Sequence, residues 1–326
     1  MEFETIPTVP TADELLDRSL RRAAAKKKLK TNVERANEEF VRAVAKAIHD
    51  KLKSVVSSFP SFERLPPFYQ EATEILVSLD RLKQSLGAVT WAADRVWAIG
   101  STYTRSMRSG EETDQKRRQA VARIASIAHQ VEDDLIFLND ARNILRKLPH
   151  VTEDEFTVVV AGFPNVGKSS FIRLVSTADP EIAAYPFTTK GIIVGHHEIG
   201  KRDRIQFIDT PGVLERPAEE RNPIERQAVS AIINTADVVL FILDASEHCG
   251  YSLDDQVQLQ DEIHRLVDVP VVTVVNKADL QGIEGYPAMS TLTGEGVEEV
   301  LDLLLTFKKA TTQTNLREPP QPETQE

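Results

Sequence analysis

Over the first 150 residues the apolar positions recur every three or four residues, with polar residues between them. This spacing is typical of amphipathic helices. The clearest apolar stripe consists of Phe40, Val41, Val44, Ile48, Leu52 and Val55. The aromatic residues Trp91, Trp97 and Tyr103 are also expected in the core of this part of the chain. The pattern predicts several helices around one core, with little strand.

Capping residues mark where two of these helices begin. Thr11-Ala-Asp-Glu14 and Thr31-Asn-Val-Glu34 have the S/T-x-x-E form of a capping box. Three further helices are predicted over residues 68–85, 88–107 and 113–148. We therefore predict an N-terminal all-α domain, residues 1–152, built as a bundle of long antiparallel helices.

From residue 156 the pattern changes to short β-branched runs that alternate with helices. Strands are predicted over residues 156–161, 192–198, 204–208, 238–243 and 271–275. Helices are predicted over residues 169–176, 221–235, 254–266 and 297–307. This alternation predicts a doubly wound, mostly parallel α/β sheet over residues 153–309, with ligands at the carboxyl ends of its strands. Residues 310–326, rich in Pro, Gln, Thr and Glu, are predicted to be a disordered tail.

Charge and composition restrict the partners. The net charge of −11 is uneven, because residues 1–150 carry 25 Lys and Arg against 21 Asp and Glu, and the rest carry 14 against 29. A polyanion is therefore expected to contact the first half. Cys249 is the single cysteine, and neither a signal peptide nor an apolar run of about 20 residues is present, so we expect a cytoplasmic protein without membrane contact.

The segment from Gly162 to Ser169 fits the phosphate-binding pattern G-x-x-x-x-G-K-[ST], between a predicted strand and a predicted helix. Its backbone N–H groups would bind phosphate oxygens, Lys168 would reach the β- and γ-phosphates, and the Ser169 hydroxyl would bind Mg²⁺. The alternative is a glycine turn between two core elements. The predicted nucleotide contacts are Gly162, Pro164, Asn165, Val166, Gly167, Lys168, Ser169 and Ser170.

Two further segments would complete the phosphate site. Asp209-Thr-Pro-Gly212 follows a strand, so Asp209 could orient a water bound to Mg²⁺ and the Gly212 N–H could meet the γ-phosphate. In Tyr185-Pro-Phe-Thr-Thr189, Thr189 is expected to bind Mg²⁺ in a loop that becomes ordered only with a triphosphate. For this second segment the alternative is a surface turn.

The base is predicted from Asn276-Lys277-Ala-Asp279 at the end of the last predicted strand. The Asp279 carboxylate can accept hydrogen bonds from N1–H and the amine of guanine, a donor pair that adenine lacks. Such bonds contribute about 1.5–3 kcal/mol each, which disfavours an ATPase. Ser290 and Thr291 lie where backbone N–H groups would approach guanine O6. Together the motifs predict a P-loop GTPase domain that binds GTP or GDP with Mg²⁺.

These residues resemble the Obg group of GTPases, and within it the nucleolar GTP-binding protein (Nog) family. The resemblance covers about residues 10–308 and lacks the long C-terminal extension of eukaryotic members, so the chain resembles a short, archaeal member. It is carried by the phosphate loop, Tyr185–Thr189, Asp209–Pro217 with Arg221–Ala228, Asp244–Gly250, and the helical half with Pro67-Phe68-Tyr69.

The resemblance implies GTP hydrolysis coupled to maturation of the large ribosomal subunit, with the helical domain packed into rRNA and no DNA partner. An alternative for each basic cluster in the helical half is a solvated helix face. The candidate RNA contacts are Arg21, Arg22, Lys26, Lys27, Lys28, Lys30, Lys116, Arg117 and Arg118.

Hydrolysis is expected to be slow. Many GTPases place a water-positioning glutamine after D-x-x-G, but here the residue is Val213, which cannot polarise water. The resemblance implies that a K⁺ ion held partly by Asn165 substitutes for it, so the expected catalytic residues are Lys168, Asn165, Thr189 and Gly212. Two alternatives remain: an RNA-binding assembly scaffold with little turnover, and an Obg-type translation or stress regulator. The absence of a glycine-rich N-terminal domain disfavours the regulator.

Overall fold

The first half of the chain forms the predicted helices, with two differences in where they break. A computed structural model describes residues 3–27, 32–152, 154–183, 185, 191–200, 203–209 and 229–315. The helices of the first half are α1 Ala12–Lys27, α2 Val33–Ser58, α3 Pro67–Val77, α4 Leu79–Ser106, α5 Thr113–Gln130 and α6 Glu132–Leu145. No helix among the described residues combines the length and apolar character needed to cross a bilayer.

The first capping box is confirmed. The Thr11 N–H donates to Glu14 Oε2 and the Glu14 N–H donates to Thr11 Oγ1, both over 3.3 Å. The second prediction was wrong by one residue: Asn32 caps α2, and its side chain accepts from the Arg35 N–H at 2.9 Å. Asparagine caps as well as threonine does, so the sequence at this point is compatible with either start.

Two predicted helices are divided differently. The helix predicted over residues 68–85 ends at Val77, Ser78 has φ 58°, and α4 then runs without a break through residues predicted as two elements. The helix predicted over residues 113–148 is interrupted at Val131. Neither break carries glycine or proline, so the local residue types gave no signal for it.

The core of the first compact unit, residues Met1–Leu65 and Leu76–Arg146, lies between closely packed helices. The apolar stripe of α2 is buried as predicted. On α4 the buried face carries mostly small residues, and a Cβ added at Gly100 would lie 2.3 Å from the Ala45 Cβ of α2. Helices that approach so closely leave no room for an indole between them.

The prediction that both tryptophans lie in this core is wrong. Trp91 is 49% exposed and Trp97 is 46% exposed. Trp97 packs on the outside of the helix pair, with its ring centroid 5.1 Å from that of His49. Tyr103 is partly buried and packs against the cluster of Val41, Met107 and Ala120.

The second unit, residues Pro66–Ile75 and Lys147–Glu326, contains the predicted sheet. Its strand order is β2-β3-β4-β1-β5-β6. The neighbours β4–β1, β1–β5 and β5–β6 pair in parallel, whereas β2–β3 and β3–β4 pair antiparallel, so β3 alone of these six strands runs against the others. The strands are β1 Phe156–Ala161, β2 Glu181–Ala183, β3 Ile192–Gly200, β4 Asp203–Asp209, β5 Val238–Asp244 and β6 Val271–Asn276. The mostly parallel α/β fold is confirmed, and β2 is an edge strand that the pattern did not predict.

Helices surround this sheet. They are α7 Lys168–Val175, α8 Leu253–Leu266 and α9 Val297–Asn315. Residues 229–233 form the described end of the helix predicted over 221–235. The helix α9 extends into residues 310–315 of the predicted tail, because no glycine or proline interrupts it before Pro319. Residues 316–326 lie outside the described part.

Part of α3 packs within the second unit, although its sequence lies in the predicted helical domain. The Tyr69 hydroxyl donates to Pro149 O at 3.1 Å and accepts from the Val151 N–H at 3.0 Å. The Phe68 and Tyr185 rings stack with centroids 5.9 Å apart. The domain limits at 152 and 309 stay a prediction.

Candidate functional site

The predicted phosphate loop lies between β1 and α7, at the carboxyl end of a central strand. Gly162 and Gly167 have φ angles of 135° and 110°. A Cβ would lie 2.6 Å from Ile242 O at the first position and 2.0 Å from Asn276 Nδ2 at the second. Both positions therefore require glycine. The loop leads directly into the N-terminus of α7, where helical N–H groups favour an anion.

Lys168 is buried at the mouth of this loop. It is 5% exposed, and its Nζ donates to Gly162 O at 2.9 Å and to Phe163 O at 2.8 Å. The ammonium is thereby fixed among the backbone groups predicted to bind phosphate. This position suits a group that neutralises phosphate charge.

The other predicted members of the loop differ in exposure. Val166 is fully buried and anchors the loop, and Pro164 is half-buried. Asn165 and Ser170 are exposed. Asn165 has φ 63°, a left-handed conformation that asparagine tolerates better than most residues. Its side chain is therefore free of the core and available at the surface of the loop.

The predicted Mg²⁺ residues Ser169 and Asp209 meet. Val160 of β1 and Asp209 of β4 are partners in the parallel register, which brings the ends of the two strands together. The Ser169 Oγ donates to Asp209 Oδ2 at 2.5 Å, and Asp209 is fully buried. A hydroxyl and a carboxylate are the oxygen ligands that Mg²⁺ prefers, so this pair fits the ion.

Asn276 joins the phosphate loop to the predicted base site. This residue is fully buried at the end of β6. Its Nδ2 donates to Val166 O at 2.7 Å and to Thr291 Oγ1 at 3.0 Å, and its Oδ1 accepts from the Thr291 N–H at 2.9 Å. One side chain thus holds together three segments that are distant in sequence. Sequence reasoning named Asn276 but did not predict this role.

Asp279 is exposed at the edge of the same site, as a carboxylate that binds a base must be. Ser290 is 1% exposed and its N–H donates to Glu295 O at 2.8 Å. The N–H groups of Ser290 and Thr291 are therefore both engaged within the protein. Their contacts to guanine O6 stay a prediction.

Sequence reasoning missed Asp244 as a site residue. Asp244 ends β5, is fully buried, and accepts a hydrogen bond from Lys277 Nζ at 2.6 Å. Burial by itself would raise the pKa of this carboxyl, but hydrogen bonds from Lys277 and Ser246 outweigh burial and lower it. The available signal was its position, because the carboxyl ends of parallel β5 and β6 lie side by side.

Several predicted residues lie outside the described part of the chain: Thr189, Gly212, Val213, Lys28, Lys30 and the side chain of Lys26.

The basic clusters of the helical unit differ in how their cations are engaged. On α1, Arg21 and Arg22 are exposed, and Arg21 pairs with Asp17 at 2.7 Å. On α5, Arg117 and Arg118 pair with one carboxylate, Asp114, at 2.7 and 2.9 Å. The hydrogen bond from Arg117 lowers the pKa of Asp114. The α5 cluster therefore resembles a self-paired helix face more than the α1 cluster does.

Two sequence families match the chain. Residues 3–152 match the NOG1 N-terminal helical domain, and residues 157–277 match a family described as 50S ribosome-binding GTPase. The chain is also 42% identical over 289 residues to an uncharacterized protein of Methanocaldococcus jannaschii, covering 85% of this chain and 81% of the relative.

Named relatives are longer. Nucleolar GTP-binding protein 1 of Eremothecium gossypii is 34% identical over 291 residues, which is 86% of this chain and 45% of the relative. This chain thus spans about half the length of several such relatives. A crystal structure described as nucleolar GTP-binding protein 1 from Plasmodium falciparum is 32% identical, with a TM-score of 0.45 over 52% of this chain and 94% of that chain.

Proposed function

The chain belongs to the nucleolar GTP-binding protein 1 family of P-loop GTPases, and from this membership we propose that it hydrolyses GTP slowly and acts as a switch in assembly of the large ribosomal subunit. In this proposal GTP and Mg²⁺ bind at the phosphate loop, and GDP and phosphate are the products. The helical domain binds rRNA of the subunit precursor.

One observation carries the nucleotide part of the proposal. Asn276, which lies three residues before the exposed Asp279, forms hydrogen bonds to Val166 of the phosphate loop and to Thr291 of the base-side turn. This contact supports a single continuous site for the proposed phosphate-binding loop and the proposed guanine-binding carboxylate. The paired oxygens of Ser169 and Asp209 support Mg²⁺ in the same place.

The chemistry of this site is mainly electrostatic. Phosphoryl transfer depends on positioning and on neutralising charge more than on covalent steps. Mg²⁺, when bound, would supply positive charge to the phosphate oxygens. Lys168 and the N-terminus of α7 supply further positive charge from the protein. Asn165 is exposed beside them and is our candidate for holding K⁺. Equal turnover in K⁺ and Na⁺ would contradict that role.

Base selection provides the direct test. We expect the protein to bind fluorescent GDP and GTP but not ATP. In Asp279→Asn, guanine affinity should fall by about a hundredfold and xanthine nucleotides should bind better than guanine nucleotides, because the amide can donate to the xanthine oxygen. Asp302→Asn removes an exposed carboxylate from α9 and should leave the preference unchanged. Equal affinity for ATP and GTP would contradict guanine recognition.

The ribosomal part needs its own experiment. Tagged protein should sediment with immature large subunits when loaded with a non-hydrolysable GTP analogue and leave them when loaded with GDP. The subunits should also accelerate hydrolysis. If the protein sediments with subunits only when it holds GTP, but the subunits do not accelerate hydrolysis, the assembly scaffold is favoured. Sedimentation that ignores the nucleotide would contradict the switch.

A further inference from the structure

The segment from Asp244, the last residue of β5, to Ser252, the residue before α8, is tightly hydrogen-bonded, and we call it the 244–252 loop. Asp244 is its centre. Its Oδ1 accepts from the N–H and the Oγ of Ser246, at 3.1 and 2.5 Å. Its Oδ2 accepts from the Cys249 N–H at 2.7 Å and from Lys277 Nζ at 2.6 Å. Four donors therefore surround one fully buried carboxylate.

Gln256 of α8 holds the loop from behind. This side chain is fully buried. Its Oε1 accepts from the Asp244 N–H at 2.8 Å, and its Nε2 donates to Asp244 O at 3.0 Å and to Tyr251 O at 3.1 Å. The backbone at the two ends of the loop is thus bonded to one amide. Because both ends of the loop are bonded to one side chain, a displacement of one end displaces the other.

The loop contacts both halves of the proposed nucleotide site. At one end, Asp244 holds the ammonium of Lys277, whose backbone has φ 57° within the base-recognition motif. At the other end, the Tyr251 ring packs on Phe163 of the phosphate loop, with centroids 4.3 Å apart. Phe163 is 6% exposed. The loop therefore connects the base side to the phosphate side by a second route, independent of Asn276.

The pairing of Asp244 with Lys277 is sensitive to loss of either partner. A buried charge left without its counter-charge destabilises its surroundings strongly. Cys249 completes the loop as a packing residue: burial raises the pKa of its thiol, so the thiol stays neutral. The buried charge of the loop is thus that of Asp244, and Lys277 is its counter-charge.

We propose that Asp244 is a positioning residue of the nucleotide site. Through Lys277 and the 244–252 loop it fixes the base-recognition motif relative to the phosphate loop, and so sets the affinity for guanine nucleotides without choosing the base. The inference rests on the proposed guanine-nucleotide binding. It assigns a role to a carboxylate that would touch neither base nor phosphate.

The test is a double-mutant cycle on GDP affinity. Asp244→Asn removes the charge and keeps the shape, and we expect GDP to bind about tenfold more weakly or worse. Lys277→Met should also weaken binding. The combined Asp244→Asn/Lys277→Met variant should bind no more weakly than the worse single variant, because both act through one contact. The ratio of GTP to xanthosine triphosphate affinity should stay at the wild-type value in Asp244→Asn.

Gln260→Ala is the matched control. Gln260 lies on α8, as Gln256 does, and is 9% exposed; its Nε2 donates to Thr273 Oγ1 at 2.7 Å and not to Asp244. Its loss should lower the melting temperature and leave GDP affinity unchanged. A merely structural role for Asp244 predicts instead that its variant behaves like Gln260→Ala.

Two results would overturn the inference. One is a GDP affinity of Asp244→Asn within twofold of wild type. The other is a double variant whose fold-loss of GDP affinity equals the product of the fold-losses of the two single variants. If Asp244→Asn fails to fold, Ser246→Ala removes one donor to the same carboxylate, and we expect about threefold weaker GDP binding. Unchanged affinity in Ser246→Ala would then count against the inference. Wild-type protein that binds no GDP would contradict the proposed function itself.

Discussion

At the scale of single residues, the nucleotide site depends on one very close approach between a backbone and a side chain. A Cβ at Gly167 would lie 2.0 Å from Asn276 Nδ2 and 3.2 Å from Thr291 Oγ1. Asn276 cannot move away without losing its bonds to Val166 and Thr291. The glycine is therefore required by the base side of the site as well as by the turn.

Gly167→Ala should consequently damage nucleotide binding more than stability. Pushing Asn276 aside breaks up to three hydrogen bonds, so we expect GDP affinity to fall by a hundredfold or more. Titration with a fluorescent GDP analogue measures the loss. Gly285→Ala is the control, because Gly285 has φ 89° with no atom within 4 Å of the added Cβ, and it tests backbone strain alone. Equal effects of the two variants would contradict the argument.

Residues of this site could be named from sequence where they belong to one short motif. Gly162, Lys168 and Asp279 were found in this way. Asp244 was not, because its partner Lys277 lies 33 residues away and neither residue shows the pairing locally. The contact becomes visible only when the ends of β5 and β6 lie next to each other.

At the scale of elements, α4 shows what periodicity can and cannot predict. The helical spacing predicted a helix over residues 88–107, which lies within α4, and Leu82, Val89 and Val96 are buried on one face of α4. It could not show that α4 and α2 approach too closely for an indole, so Trp91 and Trp97 were placed wrongly in the core. Hydrophobicity gives the preference for burial, but the distance between two helices decides which side chains fit.

Two glycines of α4 allow this distance to be tested. Gly100→Ala would place a Cβ 2.3 Å from the Ala45 Cβ, whereas an added Cβ at Gly87 meets no atom within 4 Å. We expect Gly100→Ala to reduce the free energy of unfolding by about 1–3 kcal/mol through overpacking. Gly87→Ala should increase it by up to about 1 kcal/mol, because alanine favours helix.

The tryptophans provide the measurement for this pair. The chain has two, and both lie on α4, so their fluorescence in a urea titration reports the helical unit. The two variants should shift the midpoint in opposite directions with a similar slope. A Gly100→Ala midpoint at or above the wild-type value would show that α2 and α4 can separate at little cost.

At the scale of the whole molecule, charge is divided between the two halves of the sequence. The first 150 residues carry a small excess of basic residues, and the acidic excess lies entirely in the remainder, which contains the nucleotide site. A site for GTP in an acidic half depends on local positive groups such as Lys168 and not on the overall field. RNA would bind a surface and not a pocket of this kind, so we expect it to bind the half of the chain with the basic excess.

The division of charge leads to a prediction about salt. If the helical half binds rRNA through phosphates, the logarithm of the association constant should fall linearly with the logarithm of the salt concentration. Replacing both Arg21 and Arg22 of α1 with alanine should reduce the slope by about 1–2, since each contact displaces about one counterion. Arg118→Ala should change it less, because it removes a single cation, which is paired with Asp114 at 2.9 Å.

The control for this prediction is Arg265→Ala, which removes an exposed cation from α8 in the acidic half. It should leave the slope unchanged, and all of these variants should keep wild-type GDP affinity, because none of the substituted side chains belongs to the nucleotide site. Filter binding of full-length protein to large-subunit rRNA at several salt concentrations gives each slope. If Arg265→Ala reduced the slope as much as the α1 double substitution does, contact with RNA would not be confined to the helical half.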